Sequence, residues 1–526
     1  MVSRAPVADF VAQDLSQPTR SHIDAVRLAA SRQLATVAAA LAMVPVYLFI
    51  YNSGYGYDAF EYLIIGQSLN DGVPFYTFVP SKSWALYGLV AAYLHAPAAA
   101  THAGVALLVT ATVLMVVVAT YLVATARGLG TIGARTAALL VAANALFSEL
   151  NYLEPTGFVY LSGLLAFAAV SGPKAERARA PWLLAGVWIG VGVAFKAVAA
   201  FYLIAIFCWL VWQASATKSR GPLQSALYVT VGVAFTVAAQ ALYFWSSGRL
   251  EAFLEWSFVF PLLHYPANTE WVAKLYTKLL WVIVVIALAG AISLDARVRG
   301  RLYRDKNVWL LLSFGSCALV PLLKTQSSHY AFPGTAFLLI YAAVVFERWI
   351  DAPRAWRLRS PVAVVAIVAA AIVISGVLYR PSALRRFFDV RSYSEEQALC
   401  DSLQALVKPD EHFISFSQGT RLYWLSRRYP NWPLLNTDVQ SSYYIERHSD
   451  ELWRALDDSR LTLIEFDPAS TTFDDARFLD HAANRSFVAT LTCRLEAGFS
   501  RRDDLAPPLV LWTRRTTRSD SGRCRS

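Results

Sequence analysis

The sequence predicts an all-α polytopic membrane domain, with about eleven transmembrane helices plus juxtamembrane helices, followed by a small C-terminal α/β domain on the extracytoplasmic side. Three observations predict it. Hydrophobic residues make up 56% of the 526-residue chain and charged residues only 16%. The apolar residues gather in blocks of roughly 17 to 25, broken by short polar loops. After Tyr379 the composition turns to that of a soluble domain. The 47 basic residues against 37 acidic ones alternate with the apolar blocks, so they report topology and not nucleic-acid binding.

Residues 1–33 are polar and mixed in charge, which places the first apolar block too far in for a cleavable signal peptide and predicts a retained cytoplasmic tail. Basic clusters follow at Arg20 to Arg32, Arg127 with Arg135, Lys174 to Arg179, Lys218 with Arg220, Arg297 to Lys306, and Arg348 to Arg359. If all face the cytoplasm, the sequence between consecutive clusters crosses an even number of times. Between Arg32 and Arg127 only two of three apolar stretches then cross: Leu34 to Tyr51 and Thr101 to Ala124. The stretch Trp84 to Pro97 becomes an interfacial helix, and Asp58 to Asn70 a second one that ends at an Asp71-Gly72 turn. Thr136 to Gly172 turns at Glu149 to Pro155, placing Glu149 and Glu154 outside. Pro181 to Gln213 is too long for one helix and carries a single charge, Lys196, near its middle, so two short helices should meet there. Leu223 to Leu294 forms a hairpin around an aromatic external loop, Ser246 to Ala273, which holds Arg249, Glu251, Glu255 and His264. Asn307 to Phe346 turns at Lys324 to His329, and Pro361 to Tyr379 is the last span.

The membrane domain thus covers 34–380, with external loops 52–100, 148–156, 246–273 and 324–329; an α/β domain covers 381–515 and a disordered tail 516–526. Strand-like runs lie at His412 to Phe416, Leu461 to Phe466, Phe487 to Cys493 and Pro508 to Thr513, with helix-like sequence such as Glu395 to Val407 between them. Cys400 and Cys493 share this domain and are candidates for a disulfide in an oxidising compartment.

Acidic residues beside a bilayer, followed by segments too short to span it, suggest chemistry on a charged, lipid-linked substrate. Asp58 and Glu61 open the first external loop, with Lys82 beyond them, and Glu154 opens the second. Asp58 also suits a helix cap, Glu154 a helix start before Pro155, and Lys82 an interfacial anchor beside Trp84. Lys196 has the strongest case among the bases, because a charge at the centre of a membrane helix costs about 2.5 to 3.5 kcal/mol. His329 and Tyr330 are ordinary interfacial types or ligands equally. Gly186, Gly190 and Gly192 suit close helix packing.

The order of these segments resembles the membrane glycosyltransferases of the C-type fold, particularly the protein-mannosyltransferase and aminoarabinose-transferase-like branch, from Leu34 to about Tyr379. Asp58-Ala59-Phe60-Glu61-Tyr62 stands where that family has its first acidic motif. Gly72-Val73-Pro74-Phe75-Tyr76 and Lys82-Ser83-Trp84-Ala85 follow where it has a Gly-x-x-Pro-Tyr-like segment leading to Lys-Pro-Pro-Leu, without the double proline. Glu154, the glycine-rich run ending in Lys196, and His329-Tyr330-Ala331-Phe332-Pro333 match later signatures. Ala59 occupies the place of an often-paired second acid. The resemblance implies transfer of a sugar from a polyprenyl-phosphate carrier to a lipid, glycan or protein acceptor on the outer face of the plasma membrane. Asp58 would be the general base with Glu61 and Glu154 as further catalytic acids, and Lys82, Lys196, His329 and Tyr330 would bind the donor phosphate. No cofactor is demanded, although Asp58 with Glu154 offers hard oxygen ligands that would suit Mg or Mn. A transporter or lipid flippase would instead need ionisable residues near the midplane in two repeating halves. Nearly all acids of the membrane domain lie in loops, and no repeat is evident.

Overall fold

Within residues 57–126, two short helices precede a long one. α1 (Tyr57–Asn70) ends in a Schellman turn, in which Gly72 N–H donates to Leu69 O at 3.1 Å and Val73 N–H to Ser68 O at 2.9 Å. Gly72 has φ 83°, which a residue without Cβ adopts at little steric cost. α2 (Trp84–Leu94) has 11 residues, about 16 Å of helix, too short to cross the roughly 30 Å hydrocarbon layer. α1, expected at the membrane interface, is buried almost all round by the protein itself, with Phe60, Glu61, Leu63 and Ile64 each at most 3% exposed. The reason is tertiary: α2 packs on it from one side and a C-terminal helix, Gly419–Ser426, from another.

α3 (His102–Ala126) starts with Thr101 Oγ1 accepting from Gly104 N–H, which satisfies one of the free amides of the first turn. It is followed by α4 (Thr131–Phe147), α5 (Thr156–Val170), α6 (Ala180–Phe195), α7 (Phe201–Thr217) and α8 (Gly221–Ser246). The predicted break at Lys196 is present: its backbone is extended (φ −162°, ψ 133°), and a 3₁₀ turn at Ala197–Ala200 leads into α7. Beyond α8, the expected loop from Ser246 is mostly helical. α9 (Leu250–Leu254) runs into a π-helical segment, Glu255–His264, that buries Trp256, Ser257 and Phe260. α10 (Val272–Ser293), α11 (Ala296–Leu302), α12 (Lys306–Ala318) and α13 (Ser328–Ile350) complete the bundle.

The computed structural model describes residues 47–48, 51, 57–78, 83–148, 150, 153–176, 178–217, 221–264, 272–302, 304–324, 328–351, 367–372, 374, 398, 401–402, 404–408, 410–416, 419–435, 439–466, 482–502 and 510–515. Lys82, Glu149 and Cys400, both chain ends and most of the predicted first and last spans lie outside them. Among the described residues five helical stretches are long and apolar enough to cross a membrane: His102–Ala126, Ala197–Ser215, Gly221–Ser246, Lys306–Leu323 and His329–Ile350. Large apolar side chains such as Leu122, Leu139, Val211 and Phe235 point outward, as a lipid-facing surface requires. The His329–Ile350 stretch is the inner helix, with 83% of its apolar window buried, against 22% for α8.

α6 and α8 approach closely. A Cβ on Gly186 would strike the Val229 carbonyl, and one on Gly232 the Leu183 carbonyl, so backbone meets backbone there and neither helix can retreat cheaply. Gln240 on α8 adds a polar clamp: its amide donates to Gly190 O at 2.9 Å and accepts from Trp84 Nε1 at 3.3 Å.

The C-terminal part holds a four-stranded sheet, β1 (His412–Ser415), β2 (Leu461–Glu465), β3 (Phe499–Arg502) and β4 (Leu511–Arg514), in the order β1-β2-β4-β3. β1 and β2 are parallel, with Phe413 opposite Leu463, and need a crossover. α14 (Gly419–Ser426) and α15 (Val439–Asp457) lie in that connection. β4 runs antiparallel to both its neighbours, with Ile464 opposite Trp512 and Arg501 opposite Trp512. The strand expected at Phe487 to Cys493 is helical, part of α16 (Ala482–Gly498). Its β-branched residues suggest a strand, but Phe487, Leu491 and Leu495 form one buried stripe at four-residue spacing. Cys493 is disulfide-bonded, whereas Cys208 and Cys317 are free.

Gly186→Val should lower the yield of folded, monodisperse protein and cost about 1–3 kcal/mol, as overpacking does elsewhere. Gly290→Ala, where an added Cβ meets open space, should leave the melting temperature unchanged in the same detergent assay.

Candidate functional site

Glu154 begins where the chain turns into α5. Leu153 before it has φ 61°, a strained left-handed conformation for a leucine, and is fully buried. Pro155 then sets the helix start, and Gly157 N–H donates to Glu154 O. The Glu154 side chain is thereby held inside, with the residue 2% exposed. Lys196 lies at the break after α6, alongside α5, where Phe158 and Phe195 stack at 4.7 Å with their planes 5° apart. Its Nζ is 4.0 Å from Glu154 Oε2, an ion pair too long for a direct hydrogen bond. The same ammonium sits 4.0 Å from the centre of the Tyr330 ring, a cation–π contact in a largely desolvated place. His329 stacks beside Tyr330, with ring centroids 4.6 Å apart. Helices α5, α6 and α13 thus bring Glu154, Lys196, Tyr330 and His329 together at one end of the bundle.

The first loop supplies a separate set. Glu61 faces α2 and accepts a 2.6 Å hydrogen bond from the Tyr87 hydroxyl, with Glu61 3% exposed and Tyr87 fully buried. That geometry is expected of a charge-assisted bond and ties α1 to α2. Asp58 lies in the first turn of α1, three residues before Glu61; its side chain is outside the described set. The Gly72 to Tyr76 segment folds back as an aromatic plug. Tyr76, at φ 62°, bonds Ser257 through its hydroxyl at 3.0 Å, and burial pushes its phenol well up despite that bond. Phe75 meets Trp84 and Phe244 edge-on.

The C-terminal part reaches these loops directly. Tyr429 donates to the Asp71 carboxylate, Arg427 to Ala100 O at 2.9 Å, and Tyr443 to Glu255 Oε1 at 3.0 Å. Burial, and then the bond to Asp71, raises the Tyr429 phenol. Tyr443 also lies against Trp256, Phe260 and His264 of the π-helix. Tyr87, Gln240 and Ser257, which hold the loops, carry no motif; only burial against distant helices marks them. Among the described residues no group of three or more His, Cys, Asp or Glu is placed to hold a metal ion. A divalent cation on Glu154 would face the Lys196 ammonium beside its ligand, and the Asp58 side chain that would share it lies outside the described set.

The chain has the fold of the C-type membrane glycosyltransferases. The sequence profile of the dolichyl-phosphate-mannose-protein mannosyltransferase family matches residues 88–245. Among solved structures, ArnT from Cupriavidus metallidurans bound to undecaprenyl phosphate superposes with a TM-score of 0.62 at 12% identity, covering 92% of this chain and 98% of that one. The same protein in its apo state gives 0.60 at 13% identity, with the same coverage. No curated protein sequence matches this chain.

Tyr87→Phe should destabilise the fold by about 1–3 kcal/mol, since it removes a short, buried hydrogen bond to Glu61. Combining it with Glu61→Gln should cost less than the two single losses added, as a double-mutant cycle of melting temperatures would show.

Proposed function

We propose that this protein transfers a sugar from a polyprenyl-phosphate carrier to a lipid, glycan or protein acceptor on the extracytoplasmic face of the membrane. The observation that carries the reading is the half-buried Lys196, set at a helix break beside Glu154 and the Tyr330 ring. A cation held so is suited to an anionic lipid headgroup. The likeness in fold to a protein whose structure contains undecaprenyl phosphate supports the same reading.

The acceptor hydroxyl oxygen attacks the anomeric carbon as the bond from that carbon to the phosphate oxygen breaks. The hydroxyl proton passes to a carboxylate, and the bonding pair leaves on the lipid phosphate. Asp58 is the general base in this proposal, on the first turn of α1. Negative charge grows on the phosphate, and Lys196 meets it with a full positive charge in a poorly solvated site. Lys82, His329 and the Tyr330 hydroxyl are further donors in the proposal. Glu154 holds the ammonium in place before the donor arrives. Glu61, bonded to Tyr87, acts by positioning α1, and we derive no step through a metal.

In topology the proposal keeps about eleven crossings, the N-terminus in the cytoplasm, and the C-terminal α/β unit outside. The contacts of Tyr429, Arg427 and Tyr443 suit an acceptor-side cover over the loops.

Purified protein incubated with a panel of polyprenyl-phosphate sugars and membrane acceptors should show transfer, reduced about 10²- to 10⁴-fold in Asp58→Asn. Undiminished transfer by that variant would remove Asp58 as the base. Lys196→Met should lose about 10²- to 10³-fold in turnover, with Lys196→Arg partly restored. For topology, a cysteine replacing exposed Ser247 should react with a membrane-impermeant reagent applied from outside, and one replacing exposed Arg299 should not.

A further inference from the structure

At the other end of the same helices lies a cavity of about 1050 Å³. α5, α6, α7 and α13 each have one end near Glu154 and Lys196 and their opposite end here, where Ser171, Arg179, Gln213 and Arg348 line the space. This cavity is remote from the proposed transfer site and independent of that reading.

Among the described residues its walls carry five cationic side chains, Arg179, Arg301, Arg304, Lys306 and Arg348, and one carboxylate, Asp305. That carboxylate is already engaged: Oδ2 pairs with Arg348 at 3.1 Å, and Oδ1 accepts from Asn307 N–H at 3.0 Å. Neither Arg301 nor Arg304 has a carboxylate partner among the described residues. The N-terminal ends of α6, α8 and α12 also open onto the cavity, adding the positive ends of three helix dipoles. Trp209 lines the cavity with its ring and is 7% exposed, while its indole N–H is closed off from the space. Beside it, Trp182 stacks on Trp209 at 5.9 Å, and Tyr228 lies under the Arg179 guanidinium at 5.5 Å.

We infer that this cavity is a binding site for a phosphate-bearing anion, whose oxygens take Arg301 and Arg304. An apolar aromatic wall beside a cationic one matches the headgroup region of an anionic phospholipid. Three of the basic clusters that mark topology in the sequence converge on this one space, which simple retention of loops on one side of the membrane does not require.

The test is native mass spectrometry of the full chain from micelles containing phosphatidylglycerol or phosphatidylcholine at equal mole fraction, with a parallel thermal-shift titration using inorganic phosphate. Phosphatidylglycerol should be retained and phosphatidylcholine should not. Arg301→Gln with Arg304→Gln should weaken retention about 30-fold. Arg299→Gln, on the same helix but outside the cavity lining, should retain the lipid as wild type does. If inorganic phosphate stabilises wild type but not the double variant and neither lipid is retained, the same site takes free phosphate. Equal retention of both lipids overturns the inference, as does a double variant that binds both probes like wild type.

Discussion

A lone ammonium cannot sit in an apolar bundle without a partner, and the organisation around Lys196 follows from that constraint. Insertion of such a charge costs about 2.5 to 3.5 kcal/mol in an uninterrupted helix. Here the helix is interrupted: α6 ends at Phe195, Lys196 is extended, and α7 begins after a short turn. Glu154 meets the charge from α5 and Tyr330 from α13. The break therefore sets where three helices must end, and their common end is the candidate site. The strained backbone at Leu153 belongs to the same requirement, because it turns Glu154 inward.

The rest of the chain holds that end in place. α6 cannot slide against α8, since Gly186 and Gly232 bring backbone onto backbone. Gln240 carries the constraint from α6 to Trp84 at the start of α2, and Tyr87 on α2 carries it to Glu61 on α1. The helix that begins with Asp58 is thus linked by packing and hydrogen bonds to the helix that ends at Lys196. The C-terminal sheet and its helices rest on the same loops through Asp71, Ala100 and Glu255. Acidic side chains that look solvated in sequence are in part structural, and Glu61 is the clearest case.

Charge is divided between the two ends of the bundle. One end holds a cation balanced by a carboxylate and an aromatic face. Among the described residues, the other holds five cationic side chains around a cavity with one engaged carboxylate. The first arrangement presents a compensated site that a charged substrate can enter by exchange of partners; the second presents an uncompensated one that favours a resident anion. The same helices supply both.

Much of this architecture was legible from residue pattern. The apolar blocks, the break at Lys196, the short Trp84 helix and the turn at Asp71-Gly72 depend on length, on the cost of a buried charge and on glycine's backbone freedom, all local properties. The helix at Phe487 was misread because β-branched residues hide a four-residue stripe, and the helical Glu255–His264 segment because its pattern has no ordinary period. Glu154 and Lys196 were each legible as unusual, but their 4.0 Å separation was not. Proximity across residues 42 positions apart depends on how α5 packs against α6. The burial of Glu61 beneath Tyr87, the role of Gln240 and the basic cavity were likewise decided only by tertiary structure. Each requires groups far apart in the chain to share one low-dielectric space, and the energy of such contacts is absent from any local window of sequence.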